Sequence, residues 1–388
     1  MSPDFKRLAE QYGNALLGDV IPFWERHSRD DLHGGYFTCL DREGRVYDTD
    51  KFVWLQARQV WTFASLYNRL EKRPEWLETA RLGARFLREH GRAADGSWYF
   101  ALTREGAPLV QPYNIFSDCF AAMAFAQLAK ATGDEADAAI ARRTFENILQ
   151  RRDNPKGAYD KAVPATRPLK GFSLPMILSN LALELESAID PALAARIQAE
   201  CVHEVMEVFL DPDSGLIREN VRADGGFSDS FDGRLLNPGH AIEAMGFILD
   251  LAARDGDRGL VRRAVDTALL TLQRGWDEDH GGLFYFLDLR GRPPQQLEWD
   301  QKLWWVHVET LVTMLKGYLH TRDPRCLAAF EKVHDYAWSR FPDPDFGEWF
   351  GYLNRRGEIL LPLKGGKWKG CFHVPRGLFQ CWKILERL

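Results

Sequence analysis

Apolar residues recur along this chain in two registers. In twelve stretches they return every three or four residues, as along one face of a helix, and between these stretches short runs beside glycines alternate as strands do. Six of the predicted helices lie near residues 50–72, 113–132, 168–187, 237–254, 302–320 and 370–387. The other six lie near 4–26, 74–91, 134–152, 190–210, 257–274 and 324–341 and are richer in Arg and Glu on one face. The second of these sets Leu82, Phe86 and Leu87 against Arg81, Arg85, Arg88 and Glu89.

The strand-like runs carry a repeat. A glycine is followed by a large apolar residue at Gly34 to Phe37, Gly96 to Phe100, Gly157 to Tyr159, Gly215 to Ile217, Gly281 to Phe286 and Gly347 to Phe350. Successive glycines are 62, 61, 58, 66 and 66 residues apart, too regular for independent turns. Each occurrence reads as a short hairpin, and each interval has room for two helices. Six helix pairs that bury a face against their neighbours close into a ring. The pattern therefore predicts an all-α fold, an (α/α)6 barrel of six inner and six outer helices with short β-hairpins at the mouth. Residues 1–388 read as a single catalytic domain, because no Ser/Pro/Gly-rich junction or charge run divides them.

Composition narrows the partners. A net charge of −5, from 50 basic and 55 acidic residues, offers no electrostatic footprint for nucleic acid or an anionic membrane. No apolar run approaches a membrane span, and the N-terminal stretch reads as a polar amphipathic helix rather than a signal peptide, so the expected compartment is the cytoplasm. The six cysteines lack CxxC spacing and read as buried free thiols.

In such a barrel the inner helices run one way, so their N-termini and the hairpins share a mouth. Helix N-termini aim free N–H groups and partial positive charge there, which suits a substrate that develops negative charge. Reactive residue types concentrate at these starts: Lys51, Trp54 and Arg58; Tyr113, Asn114 and Asp118; Arg167 and Lys170; His240 and Glu243; Lys302, Trp304, Trp305, His307 and Glu309; Lys367, Trp368, Lys369, His373 and Arg376. Asn237 is an N-cap followed by Pro238, which puts His240 in the first turn with Glu243 on the same face. A carboxylate there would fix the imidazole tautomer and raise its basicity. One histidine beside a helix cap is ordinarily a packing residue, but His373 occupies the equivalent position of another inner helix, and the pair points to chemistry. No HExxH or tight His/Cys/carboxylate set suggests a metal. Tryptophans among Arg, Lys, Asn and Glu suit a sugar, whose C–H face stacks on a ring while its hydroxyls take polar partners.

The segments KFVWLQARQVW (51–61), GRLLNPGHAIEAMGF (233–247), WDQKLWWVHVETL (299–311) and GKWKGCFHVPRGLFQCW (366–382) resemble the N-acylglucosamine 2-epimerase, or renin-binding protein, family over essentially the whole chain, most closely its bacterial members. The resemblance implies an (α/α)6 barrel, a homodimer, that interconverts N-acetylglucosamine and N-acetylmannosamine, a sialic acid precursor, without a metal. Carried over by position, it makes His240 and His373 the acid/base pair. It places Arg58 near the substrate oxygen, Glu243 beside the first histidine and Glu309 on the fifth inner helix. Tyr113, Asn114, Asp118, Lys170, Trp304, Trp305 and Arg376 are the candidate substrate contacts. At Lys170 the related disaccharide epimerases and aldose–ketose isomerases carry a histidine, which argues against a cellobiose or mannose enzyme. Because helix N-termini disfavour imidazolium, both histidines are expected to titrate near neutrality, with Glu243 lifting His240.

The resemblance also implies ATP as an activator that is not consumed. The residues add only Asn154-Pro155-Lys156-Gly157 with Lys161 and Arg167 as a stretch that could receive phosphates but reads more readily as an ordinary basic loop; no GxxxxGK[ST] motif is present. Alternatives are another sugar 2-epimerase or isomerase of the superfamily, an (α/α)6 glycoside hydrolase using Asp118, Asp232, Glu243 and Glu309, and a protein-binding role for the outer helices.

Overall fold

A computed structural model describes residues 3–160, 163 and 166–388. Lys161, one of the candidate phosphate contacts, lies outside the described residues. Twelve helices alternate between an outer and an inner layer. The outer ones are α1 (Phe5–Ala15, continued by a π turn at Leu16–Val20 into Ile21–His27), α3 (Pro74–His90), α5 (Glu135–Arg151), α7 (Pro191–His203, continued by a π turn at Glu204–Val208), α9 (Arg258–Gly275) and α11 (Pro324–Arg340). The inner ones are α2 (Val53–Arg69), α4 (Phe116–Thr132), α6 (Ser173–Glu184), α8 (Pro238–Asp255), α10 (Trp304–Thr321) and α12 (His373–Leu385). The fold is the expected (α/α)6 barrel.

The two layers start differently. Outer helices α5, α7, α9 and α11 are capped by Asp134, Asp190, Asp257 and Asp323, whose side chains accept the N–H groups of Ala136, Leu193, Leu260 and Arg325. Of the inner helices only α8 has a side-chain cap, from Asn237. Three others begin on backbone from the next hairpin: Val53 donates to Phe100 O (3.0 Å), Phe172, just before α6, to Glu219 O (2.9 Å), and Trp304 to Gly351 O (3.1 Å). Three hairpins are thus tied to the preceding unit.

The six repeat glycines all have φ between 53° and 87°, a region closed to most side chains, which explains why glycine recurs there. Five of these turns close a single bridge, such as Arg29 to Tyr36 and Trp276 to Leu283. Gly157 instead opens a 3-10 turn, Gly157–Tyr159. The regular ladders are not the local hairpins the sequence predicts, because they run mostly between units: β1 (Lys51–Phe52) pairs with β2 (Ala101–Leu102), and β8 (Lys302–Leu303) with β9 (Tyr352–Leu353). Strands β4 (Leu169–Gly171) and β5 (Asn220–Arg222) pair likewise, as do β6 (Leu235–Leu236) and β7 (Leu287–Asp288). Only β3 (Pro108–Val110) and β10 (Ile359–Leu361) fold back on their own neighbours.

Four residues before the glycine in five units stands an aspartate (Asp30, Asp153, Asp211, Asp277 and Asp343), and three of these are stapled alike. Asp30 binds Lys51 (2.9 Å) and Arg104 (2.9 Å), Asp277 binds Lys302 (3.1 Å) and Arg355 (2.9 Å), and Asp343 binds Lys364 (2.8 Å) and Arg42 (2.8 Å). The arginine always comes from the next unit, and Arg42 of the first unit closes on the sixth. Lys51 and Lys302, grouped by sequence with the reactive residues, are therefore struts with no exposed side chain. Asp343→Asn leaves Lys364 buried without its carboxylate and is expected to cost roughly 3 kcal/mol. A denaturant titration reads this, and an unchanged midpoint would show the staple to be idle.

The chain ends meet. Outer helix α1 packs on inner helix α12. Gly13 allows a close approach there, since a Cβ would stand 3.0 Å from the Trp382 ring. The inner ring closes where Phe372 packs on Trp61 (5.2 Å between ring centres) and Thr62 donates to Cys371 O (2.8 Å).

Candidate active site

The first turn of α8 presents His240, whose backbone N–H is held by Asn237 Oδ1 at 3.1 Å. Its ring lies 5.3 Å from that of Trp305, and Trp305 lies 5.7 Å from His373 on α12. One indole therefore packs near both imidazoles. Trp304 is buried behind His373 and packs on Tyr352 (5.2 Å).

Each imidazole has its own carboxylate. His373 Nδ1 meets Glu309 Oε1 at 2.8 Å, and His240 Nδ1 lies 3.1 Å from both oxygens of Glu219. A carboxylate only accepts, so Nδ1 carries hydrogen in both rings and Nε2 is left for a substrate. The partner of His240 is thus Glu219 and not Glu243, as the i+3 spacing had suggested. Glu219 sits four residues past Gly215, where Phe100 and Tyr285 stand in other units. Alignment on the repeat glycines, rather than on the helices, is the signal that finds it.

Glu243 belongs instead to a layer below. Arg376 donates to Glu309 at 2.6 Å and lies 3.6 Å from Glu243. Arg58 stands beside them with its guanidinium carbon 3.9 Å from the Phe120 ring, 4.5 Å from Trp54 and 4.6 Å from Phe372. Its buried Nε has no acceptor. A charged donor sandwiched between rings and left unpaired is costly unless a ligand oxygen completes it.

The electrostatics separate the two histidines. Burial, helped by Arg58 and Arg376, brings His373 down to about 4 despite its bond to Glu309. Burial also depresses His240, but Glu219 and then Glu243 outweigh it and leave its pKa above the ordinary value. Burial and the neighbouring Glu309 push Glu243 up to about 7. Glu309 is also raised by burial, yet Arg376 and His373 hold it at about 2. Arg58 falls to about 9 through burial and is still a cation at neutral pH. The expectation that both histidines titrate near neutrality is corrected, because their carboxylates have different company.

Glu243, Glu309 and His373 offer donor atoms within 4.8 Å of one another. The Arg376 guanidinium lies 2.6 Å from Glu309 and 3.6 Å from Glu243.

The structure brings together His240, His373, Glu243, Glu309, Arg58, Trp304, Trp305 and Arg376. Others point elsewhere. Asp118 is buried against outer helix α5, bonded to Arg151 at 2.9 Å, and burial raises it to about 7. The next residues, Cys119 and Phe120, face the barrel axis beside Arg58, and one residue along a helix turns the side chain by ~100°. Lys170 pairs with Glu204 of the outer layer and is half exposed. Asn114 accepts the Phe116 N–H at 2.8 Å, an early-turn brace of α4. Tyr113 packs on Phe100 (4.9 Å) at the rim, in a cluster with Trp54 and Phe52. His307 is structural: its Nε2 accepts the Leu283 N–H at 3.0 Å and its Nδ1 donates to Leu303 O at 2.7 Å. Lys369 is buried on Glu348 at 2.8 Å.

Residues 35–375 match the family described as N-acylglucosamine 2-epimerase (GlcNAc 2-epimerase). The N-acylglucosamine 2-epimerase of Mus musculus is 42% identical over 380 residues, covering 96% of this chain and 90% of the relative. That of Homo sapiens is 41% identical over 384 residues, covering 96% and 89%. A solved cellobiose 2-epimerase from Bacillus thermoamylovorans B4167 superposes with a TM-score of 0.84 at 22% identity, over 99% of this chain and 100% of that one, which shows a shared fold. The chain belongs to the N-acylglucosamine 2-epimerase family.

Proposed function

We propose that the enzyme interconverts N-acetylglucosamine and N-acetylmannosamine by moving the proton at C2 with two histidines. One observation carries this reading: two imidazoles, each tied through Nδ1 to its own carboxylate, pack on the same indole, and the same site holds an arginine whose buried Nε is unpaired.

The C2–H bond becomes acidic once the pyranose has opened, because the C1 carbonyl takes up the electron pair. One histidine Nε2 accepts the C2 proton, the C2–C1 bond gains double-bond character, and negative charge forms on the C1 oxygen. In this reading Arg58, a desolvated cation with an unpaired Nε, stabilises that oxygen. The other histidine then delivers a proton to the opposite face of C2, the carbonyl re-forms, and the configuration is inverted. The acetamido nitrogen at C2 leaves no hydroxyl for the ordinary aldose–ketose route, so the intermediate can only return to an aldose.

Incubating N-acetylmannosamine in heavy water tests this. The expected product is N-acetylglucosamine carrying one deuterium at C2, seen as loss of the H2 signal by NMR. Product that retains protium at C2, or no product, would overturn proton transfer at that carbon.

A further inference from the structure

We propose that Glu219 is a positioning residue that makes His240 the proton donor of the resting site, while Arg376 keeps His373 the acceptor. This inference rests on the two-histidine reading.

The two His–Glu pairs look alike but are neutralised differently. The Glu309 carboxylate beside His373 is also bound by Arg376 at 2.6 Å, so a further proton on His373 would add positive charge beside Arg376 and Arg58. Glu219 binds His240 through both oxygens, and the described residues give its side chain no arginine or lysine. Its backbone is clamped on both sides, since Glu219 N donates to Leu235 O (3.1 Å) and Glu219 O accepts from Phe172 N (2.9 Å). The carboxylate is therefore fixed as well as charged. Around the His240 ring stand Glu219 from the segment before β5, Glu243 from α8 itself, and the Trp305 indole from α10, with the phenol of Tyr285 packed on that indole. Every charge in that set is negative and favours imidazolium.

The competent state thus has His240 protonated and His373 neutral. The reverse reaction uses the state with the proton on the other ring. Both states hold the same number of protons, so kcat/KM in the two directions must share one pH profile, whose alkaline limb belongs to His240.

Glu219→Gln keeps an oxygen for Nδ1–H and removes the charge. At about pH 8 its kcat/KM is expected to fall roughly tenfold relative to the unmodified enzyme in both directions, with far less loss near pH 6, because the alkaline limb moves toward acid. Glu219→Asp keeps the charge and is expected to keep the limb while losing rate. Imidazole NMR of the unliganded protein reads the His240 titration without turnover. An unmoved His240 titration in Glu219→Gln would overturn the role of Glu219 and leave the two-histidine reading standing. Full activity of His240→Asn would instead remove that reading.

Discussion

His373→Asn is expected to fold normally and lose between about 10² and 10⁴ in kcat, with a matching loss for His240→Asn. Asparagine can still donate toward Glu309 or Glu219 but cannot hold a mobile proton, so each variant lacks one of the two transfers. The losses should not add: an epimerisation needs both transfers, and the second substitution removes little that the first has left. The two single variants are nevertheless distinguishable. If the roles are split as the carboxylates suggest, His240→Asn should still wash the C2 hydrogen of one epimer out to solvent without inversion, through neutral His373. Turnover of either variant within tenfold of the unmodified enzyme would remove the two-base assignment.

Arg58→Met is expected to lower kcat by about 10² to 10³, the range found when one donor to a developing oxyanion is removed. Its effect on stability should be small or favourable. The guanidinium is buried among Phe120, Trp54 and Phe372 with an unpaired Nε, so the protein bears a desolvation cost that a thioether of similar length does not incur. A variant that is slower and at least as resistant to denaturant separates a charge kept for the reaction from one kept for the fold. Unchanged kcat would dismiss the arginine from the chemistry.

The helices were legible because each buries one stripe, and a stripe repeats at the helical period whatever its neighbours do. Their caps were legible too, as with Asn237-Pro238 before α8. The strands were not, because Lys51–Phe52 finds its partner at Ala101–Leu102 in the next unit, and no local pattern records that pairing. The layer of the candidate site could be read from the repeat: His240, His373, Arg58 and Glu309 fall on inner helices near their starts. What failed was the angular position within that layer. Asp118 and Phe120 are two residues apart, yet one faces Arg151 and the other Arg58. Lys51 and Lys302 failed differently, since a lysine at a helix start looks the same whether it meets a ligand or an aspartate folded in from the preceding turn. Glu219 was not legible from helical periodicity, because its position is set by the hairpin.

The meeting of α1 with α12 bears on how the molecule comes into being. The face of α1 that carries Leu8, Ala9 and Tyr12 docks on elements more than three hundred residues away, and α12 is also the helix that supplies His373 and Arg376. During synthesis that greasy surface emerges first and waits for almost the entire polypeptide before its cover arrives. Loop closure over such a span is slow, and the nascent chain carries an exposed apolar stripe throughout. Completion of the proposed site and of the last helix therefore coincide, so a chain cut short before α12 is expected to be inactive and to leave that stripe uncovered.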